Sequence, residues 1–404
     1  MTRLSRRQIS QALAAACLTG APAALPSARA ASSGAAVRIG LDGEFGYVTS
    51  TSAEAIGRGI RIAIGEINAA GGVLGGRPLE LVEKANGSLP ARSANNITAF
   101  AADPDLVGVY CGRFSPTVLE TLPLIHRLGI PLLDPWAAAD GIVDNGYTPN
   151  YVFRLSLKDS WAADVALEHV EKRGLSRVGL LMLNTSWGRS SKKAAEAYVA
   201  RAHRITISST QWINWDDQPA SMLAKVELLH NAGAQAIFLT ANAEDAAKLC
   251  QAQLTQPPAR RLPVVSHWGV AGGDLPAMVG KAFHELDFSV VQTYSFIGQT
   301  SPIAQRVVRA ELALSGGASE RSIASPVGVA HAYDLTHLLA MAVNLAGSTD
   351  RRAVRDALEH LPPYAGLMKR YAPAFTPQRH EALAARDVFM ATYSPVDGAL
   401  ERRA

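Results

Sequence analysis

The sequence is poor in cysteine, in charge and in aromatic rings. Three cysteines occur in 404 residues, and Cys17 lies in the first thirty, which leaves Cys111 and Cys250. There is no C-x-x-C pair and no metal-type ligand spacing, so a disulfide framework and a zinc site are excluded and no metal is expected. Charged residues make up 18% and aromatic residues 6%, against 48% apolar residues, a globular balance that excludes a disordered or collagen-like chain. A basic excess is also missing. The first thirty residues hold Arg3, Arg6, Arg7 and Arg29 and no acid, so the 39 basic residues fall to 35 beyond them, against 35 acidic ones. Nothing then favours nucleic acid or an anionic membrane as a partner. Catalytic signatures are absent too: there is no G-x-S-x-G elbow, no P-loop and no H-E-x-x-H. Gly57 and Gly59 do not continue to G-x-G-x-x-G. No catalytic residue and no cofactor are expected.

What is present begins with an export pattern. Ser5-Arg6-Arg7-Gln8-Ile9 gives a charged start, Ile9 to Leu25 an uncharged stretch rich in Ala and Leu, and Ala28-Arg29-Ala30 an A-x-A cleavage site. That order reads as a secretory signal over residues 1–30, and its arginine pair points to the twin-arginine route. Pro22 in the apolar stretch and Pro26 just after it argue against a membrane anchor, and no later segment is apolar enough to span a bilayer. The location expected is the periplasm.

The remainder alternates strands and helices. Val37–Leu41 reads as a strand, and Ala53, Ile56, Ile60, Ala63 and Ile67 form one helical stripe that ends at Gly71-Gly72. Strands follow at 79–82, 106–110 and 130–133, with helices at 95–102 and 117–128. The pattern restarts after Tyr151, with strands at 178–183, 205–208, 236–239 and 263–265 and helices between them. Helices return at 303–314 and 327–345. Such alternation means βαβ units around parallel sheets, in two units of similar size.

Open α/β sheets bind ligands beyond the carboxyl ends of their strands. Several strands here end in unusual loops: Asp42 to Tyr47 with Glu44 and Phe45, Cys111 to Pro116 with Arg113, Phe114 and Ser115, and Asp134-Pro135-Trp136-Ala137. In the second unit the strands end at Asn184 to Gly188 with Trp187, at Thr240-Ala241-Asn242, and at Ser266-His267-Trp268-Gly269. Three of the six tryptophans fall in these loops. Glu44, Phe45, Arg113, Phe114, Ser115, Trp136, Ala137, Trp187, Asn242 and Trp268 are therefore the candidate ligand contacts. Structural roles compete at several of them. Ser115 suits a helix cap, Asp134 suits a turn cap, and His267 suits a core histidine. Trp212 and Trp215 read as surface or packing residues, and His380 has no partner in view.

The stretch Gly59 to Gly75, containing Ile67-Asn68-Ala69-Ala70-Gly71-Gly72, resembles the type I periplasmic solute-binding proteins of ABC importers, in their branched-chain amino acid binding family. Gly129-Ile130-Pro131-Leu132-Leu133-Asp134-Pro135 is similar to that family's "GIPLISP" segment, and Asn184-Thr185-Ser186-Trp187-Gly188 is placed like its "D-x-x-Y-G" turn. The resemblance runs from about residue 37 to 395. It implies two Rossmann-like lobes joined by three crossover segments, with lobe I at 37–155 plus 295–365 and lobe II at 156–294 plus 366–404. It further implies a monomer that closes on a solute and delivers it to an inner-membrane permease and ATPase.

The departures from that pattern bear on the ligand. The family's hydroxyl position falls at Ala138, its amine-pairing acid at Trp268, its turn tyrosine at Trp187, and its first disulfide cysteine at Asn86, which leaves Cys111 without that partner. With Cys250 on the other lobe, the resemblance implies that both thiols are free. A free branched-chain amino acid would leave its ammonium unpaired there, which is costly on burial. A flat or apolar solute between Trp136, Trp187 and Trp268 fits better. A quaternary ammonium beside Glu44 and Asp134, or a carboxylate on Arg113, fits too, and the residues alone leave that sign open. A periplasmic sensor module signalling to a membrane kinase or chemoreceptor, and an exported enzyme, are the alternatives.

Overall fold

The computed structural model describes residues 34–403 apart from 48, 203 and 216. The signal segment expected at 1–30 lies outside the described residues. The first sheet contains β1 (Val37–Gly43), β2 (Leu79–Ala85), β3 (Leu106–Cys111), β4 (Leu132–Asp134) and β5 (Val152–Arg154). Its order is β2-β1-β3-β4-β5 and every pairing is parallel. The helices α1 (Ser52–Ala69), α2 (Pro90–Ala101) and α3 (Ser115–Leu128) connect these strands.

The chain then enters a second unit through α4 (Asp159–Lys172), β6 (Arg177–Leu183), α5 (Ser186–Ala202), β7 (Thr206–Ile213), α6 (Pro219–Asn231), β8 (Ala236–Thr240), α7 (Ala243–Leu254), β9 (Val264–Ser266), α8 (Leu275–Val279) and β10 (Phe288–Gln292). It returns to the first unit in α9 (Pro302–Ser315), α10 (Pro326–Ala346), α11 (Arg351–Leu358), β11 (Tyr364–Ala365) and β12 (Arg370–Tyr371). It crosses again to β13 (Phe389–Tyr393) and β14 (Leu400–Arg402). The second sheet is ordered β14-β13-β10-β9-β8-β6-β7. It is parallel from β7 to β10 and antiparallel at β13 and β14. The fold is thus two α/β lobes with parallel central sheets, and the chain passes between them three times.

The near-continuous apolar strands follow from helices covering both sheet faces. The stripe of α1 buries Ile56, Ile60, Ala63 and Ile67. Gly59 lies on the same helix against α10, and a Cβ there would sit 2.3 Å from the carbonyl oxygen of Val329. A side chain at that point would force the two helices apart, so Gly59 sets their close approach. Cys111 and Cys250 are both buried and free, as expected.

Candidate functional site

Each sheet has one switch point, where the strand order reverses: between β1 and β3 in the first lobe, and between β6 and β8 in the second. Connections leave the two sides of such a point in opposite directions, which opens a crevice at the strand ends. The two crevices face one another. Arg113, after β3, donates from Nη1 to Oδ1 of Asn242, after β8, over 3.2 Å. The Thr51 N–H donates to the Gly272 carbonyl over 2.8 Å, and the Thr49 hydroxyl donates to Glu244. The lobes are in contact across the cleft.

Glu44 and Ser115 hold the loops of the first lobe. The Glu44 carboxylate accepts the N–H of Arg113 at 3.0 Å and that of Phe114 at 3.3 Å. It is buried, and burial raises its pKa while the Arg113 charge opposes the rise. Its role here is to satisfy the backbone of the Arg113 loop. Phe45 is half-buried, its ring laid over Gly43 beside Ala53. Ser115 is the first residue of α3 and makes no side-chain cap. Its Oγ accepts the N–H groups of Ala138 at 3.2 Å and Ala139 at 3.3 Å. The capping role expected for it is replaced by this one, because two N–H groups of a neighbouring buried loop need an acceptor.

The three loop tryptophans lie deeper. Trp136, Trp268 and Trp187 are 2%, 1% and 5% exposed. Trp136 and Trp268 come from opposite lobes and their ring centres lie 5.4 Å apart. Trp187 donates from Nε1 to Oδ1 of Asp159 over 3.2 Å, and its ring lies edge-on to His267 at 5.1 Å. Gly269 makes room for it, since a Cβ there would meet the indole at 2.4 Å. His267 is fully buried with its Nε2 2.9 Å from Asp159 Oδ1. Ala137 is fully buried and offers its carbonyl to Arg154.

Above this layer the cleft holds a groove of about 760 Å³. Arg113, Phe114 and Asn242 line it, with Trp215 and Arg189 from the second lobe and Tyr47 from the first. The three deep tryptophans do not. Arg113 is half-buried in the groove: its Nε is shut off from solvent and has no partner among the described residues. Of the three acids lining the groove, Glu244 is met by Thr49, Asp245 lies 3.8 Å from Lys248, and Glu120 is exposed. Burial also pushes Asp245 up to about 6, with Lys248 opposing.

Asp134 caps the turn that carries Trp136, accepting its N–H at 3.0 Å. Full burial pushes its carboxyl up to about 7, against the pull of Arg154. Such a group binds its proton more tightly folded than unfolded, where its pKa is about 3.9. Its contribution to stability is full below the unfolded value and is lost as pH rises through about 7. The melting temperature is therefore expected to fall between pH 5 and pH 8, and Asp134→Asn, which keeps the acceptor for Trp136, is expected to flatten that fall. Equal pH slopes in both proteins would contradict this.

Three residues that matter here were not singled out from the sequence: Arg154 is fully buried and paired with Glu381, and Asp159 anchors Trp187. Trp215, read as a surface or packing residue, edges the groove. An arginine inside Tyr151-Val152-Phe153-Arg154-Leu155 was the available signal, because a buried charge demands a partner. His380, for which no partner was in view, meets Glu359 at 2.9 Å and the Val152 carbonyl at 2.7 Å.

The profile of a family described as periplasmic binding protein matches residues 36–398. Among curated proteins none matches. Solved structures do. A type 1 periplasmic binding protein from Bordetella pertussis Tohama I superposes with a TM-score of 0.81 at 22% identity, over 91% of this chain and 99% of that one. LivJ from Streptococcus pneumoniae, a branched-chain amino acid transporter substrate-binding protein in complex with isoleucine, gives 0.74 at 20% identity, over 91% and 98%. An ABC transporter solute-binding protein of R. palustris, in complex with 4-hydroxybenzoate, gives 0.75 at 16% identity, over 91% and 95%.

Proposed function

The chain belongs to the periplasmic binding protein family, and on that premise we propose that it is the solute-binding component of an ABC importer for a small aromatic or apolar compound. The family implies a periplasmic location and a small-molecule ligand. In our reading the twin-arginine signal over 1–30 exports the chain, and a permease and ATPase in the inner membrane receive its cargo. The closing lobes are 37–155 with 295–365 and 156–294 with 366–404. Affinity comes from closure, because both lobes reach the solute only when shut.

One observation carries the choice of ligand: Arg113, with a buried and unpartnered Nε, lines the groove beside Phe114. A guanidinium so placed takes a carboxylate, and the ring beside it takes a flat apolar body. This favours an aromatic carboxylate over a quaternary ammonium. The R. palustris protein of the same fold, bound to 4-hydroxybenzoate, supports the same class. Trp136, Trp187 and Trp268 form the floor of the cleft in this reading, and Asp159, the acid beside them, is engaged by the Trp187 indole.

A thermal-shift panel of benzoate, 4-hydroxybenzoate, choline and leucine tests it. A ligand at about 100 times its Kd adds about 2.7 kcal/mol. The aromatic acids are expected to raise the melting temperature, with leucine and choline inert. A shift with leucine alone would overturn the reading.

A further inference from the structure

Trp215 follows β7 in the second lobe and is 55% exposed. Its ring centre lies 5.6 Å from that of Phe114, edge to face, and Phe114 belongs to the first lobe. The pair therefore spans the mouth of the groove. Two further exposed apolar residues stand at the same mouth on the first lobe, Tyr47 at 40% and Leu89 at 52% exposure. The Tyr47 hydroxyl donates to the Gly87 carbonyl over 3.0 Å, which fixes that ring at the rim. Single exposed apolar side chains need no explanation. Three of them converging from three loops and both lobes on one groove, with the solvent-shielded, unpartnered Nε of Arg113 inside it, call for an apolar occupant. The groove is also roomy: about 760 Å³ falls within the ~300–1,000 Å³ that holds drug-sized ligands. A single-ring acid on Arg113 would leave its outer part empty.

We propose that Trp215 is a specificity-determining lid, and that the groove takes an elongated carboxylate whose head meets Arg113 and whose far end, aromatic or apolar, lies under Trp215 between the two lobes. The inference rests on the aromatic-carboxylate reading above and adds length to it. Trp215 selects by contact made only in the closed form, where Phe114 and the far end of the ligand meet it together. Most of its surface faces solvent, so its removal leaves the core intact.

The test compares benzoate with 4-phenylbenzoate by calorimetric titration of wild type, Trp215→Ala and Trp215→Phe. Wild type is expected to bind 4-phenylbenzoate more tightly than benzoate. Trp215→Ala is expected to lose about tenfold on 4-phenylbenzoate, equivalent to about 1.4 kcal/mol, and less than twofold on benzoate. Trp215→Phe is expected to keep most of the affinity, and neither variant to shift the melting temperature of the free protein. Acrylamide quenching gives a second readout: 4-phenylbenzoate is expected to shield indole fluorescence in wild type and much less in Trp215→Phe. Equal losses on both acids, or none on either, overturn the lid. If neither acid binds wild type, the aromatic-carboxylate reading itself fails and the lid falls with it.

Discussion

Glu381→Ala is expected to destabilise the fold by about 3–5 kcal/mol, because it strips a buried guanidinium of its counter-ion. Arg154 is fully buried at the end of β5. Its Nε donates to Glu381 Oε2 over 2.9 Å and its Nη2 to Oε1 over 2.6 Å. Its Nη1 donates to the carbonyls of Ala139 at 2.9 Å and Ala137 at 3.3 Å. One arginine thereby ties the loop behind Trp136 to the segment that leads into the last crossing. The backbone adds to this tie, with Arg154 N–H on the His380 carbonyl and Ala382 N–H on the Arg154 carbonyl, both at 2.8 Å. Urea denaturation measures the effect. Glu381→Gln is expected to recover part of the loss, and the double change Arg154→Met with Glu381→Leu most of it, since neither leaves a bare charge. A loss below about 1 kcal/mol for Glu381→Ala, within the range of an exposed pair, would mean that water reaches Arg154.

Arg113→Ala is expected to weaken benzoate binding by about 2–5 kcal/mol, the range for truncating one partner of a buried charge pair. The groove holds no equivalent donor beside Phe114: Arg189, its other arginine, lies 5.8 Å over the Trp212 ring. Arg113→Lys keeps the charge and loses the fork, so an intermediate loss is expected. Calorimetry on the three proteins checks this order. Benzoate affinity within threefold of wild type in Arg113→Ala would remove Arg113 from the site.

Much of the fold was legible because both lobes repeat one pattern. The stripe of α1, the apolar runs of β3 and β6, and the glycine stop after α1 all read at helical or strand period. The strand β10 did not. Phe288–Gln292 is short and mixes Ser289 and Gln292 with apolar residues, and only its place between β9 and β13 makes it a central strand. The helix α11 was hidden by its charge: four of the eight residues in Arg351–Leu358 are Arg or Asp.

The site was legible at the level of loops and not of depth. Strand ends with Arg113, Trp136, Trp187, Asn242 and Trp268 do converge, because parallel strands deliver their carboxyl ends to one edge. Sequence cannot say which of them faces open space. Trp136 and Trp268 pack against each other, while Arg113 and Asn242 reach the groove. Trp215, read as a surface or packing residue, stands at its mouth because β7 runs on to Ile213 and carries the loop there.

The most direct test of the account is a calorimetric titration of benzoate and of leucine into the protein, repeated at two temperatures. One benzoate per chain is predicted, with heat that grows more exothermic on warming, since burial of apolar surface gives a negative heat-capacity change. Leucine is predicted to give no heat of binding. A saturable 1:1 isotherm for leucine, with none for benzoate, would contradict the account at its centre.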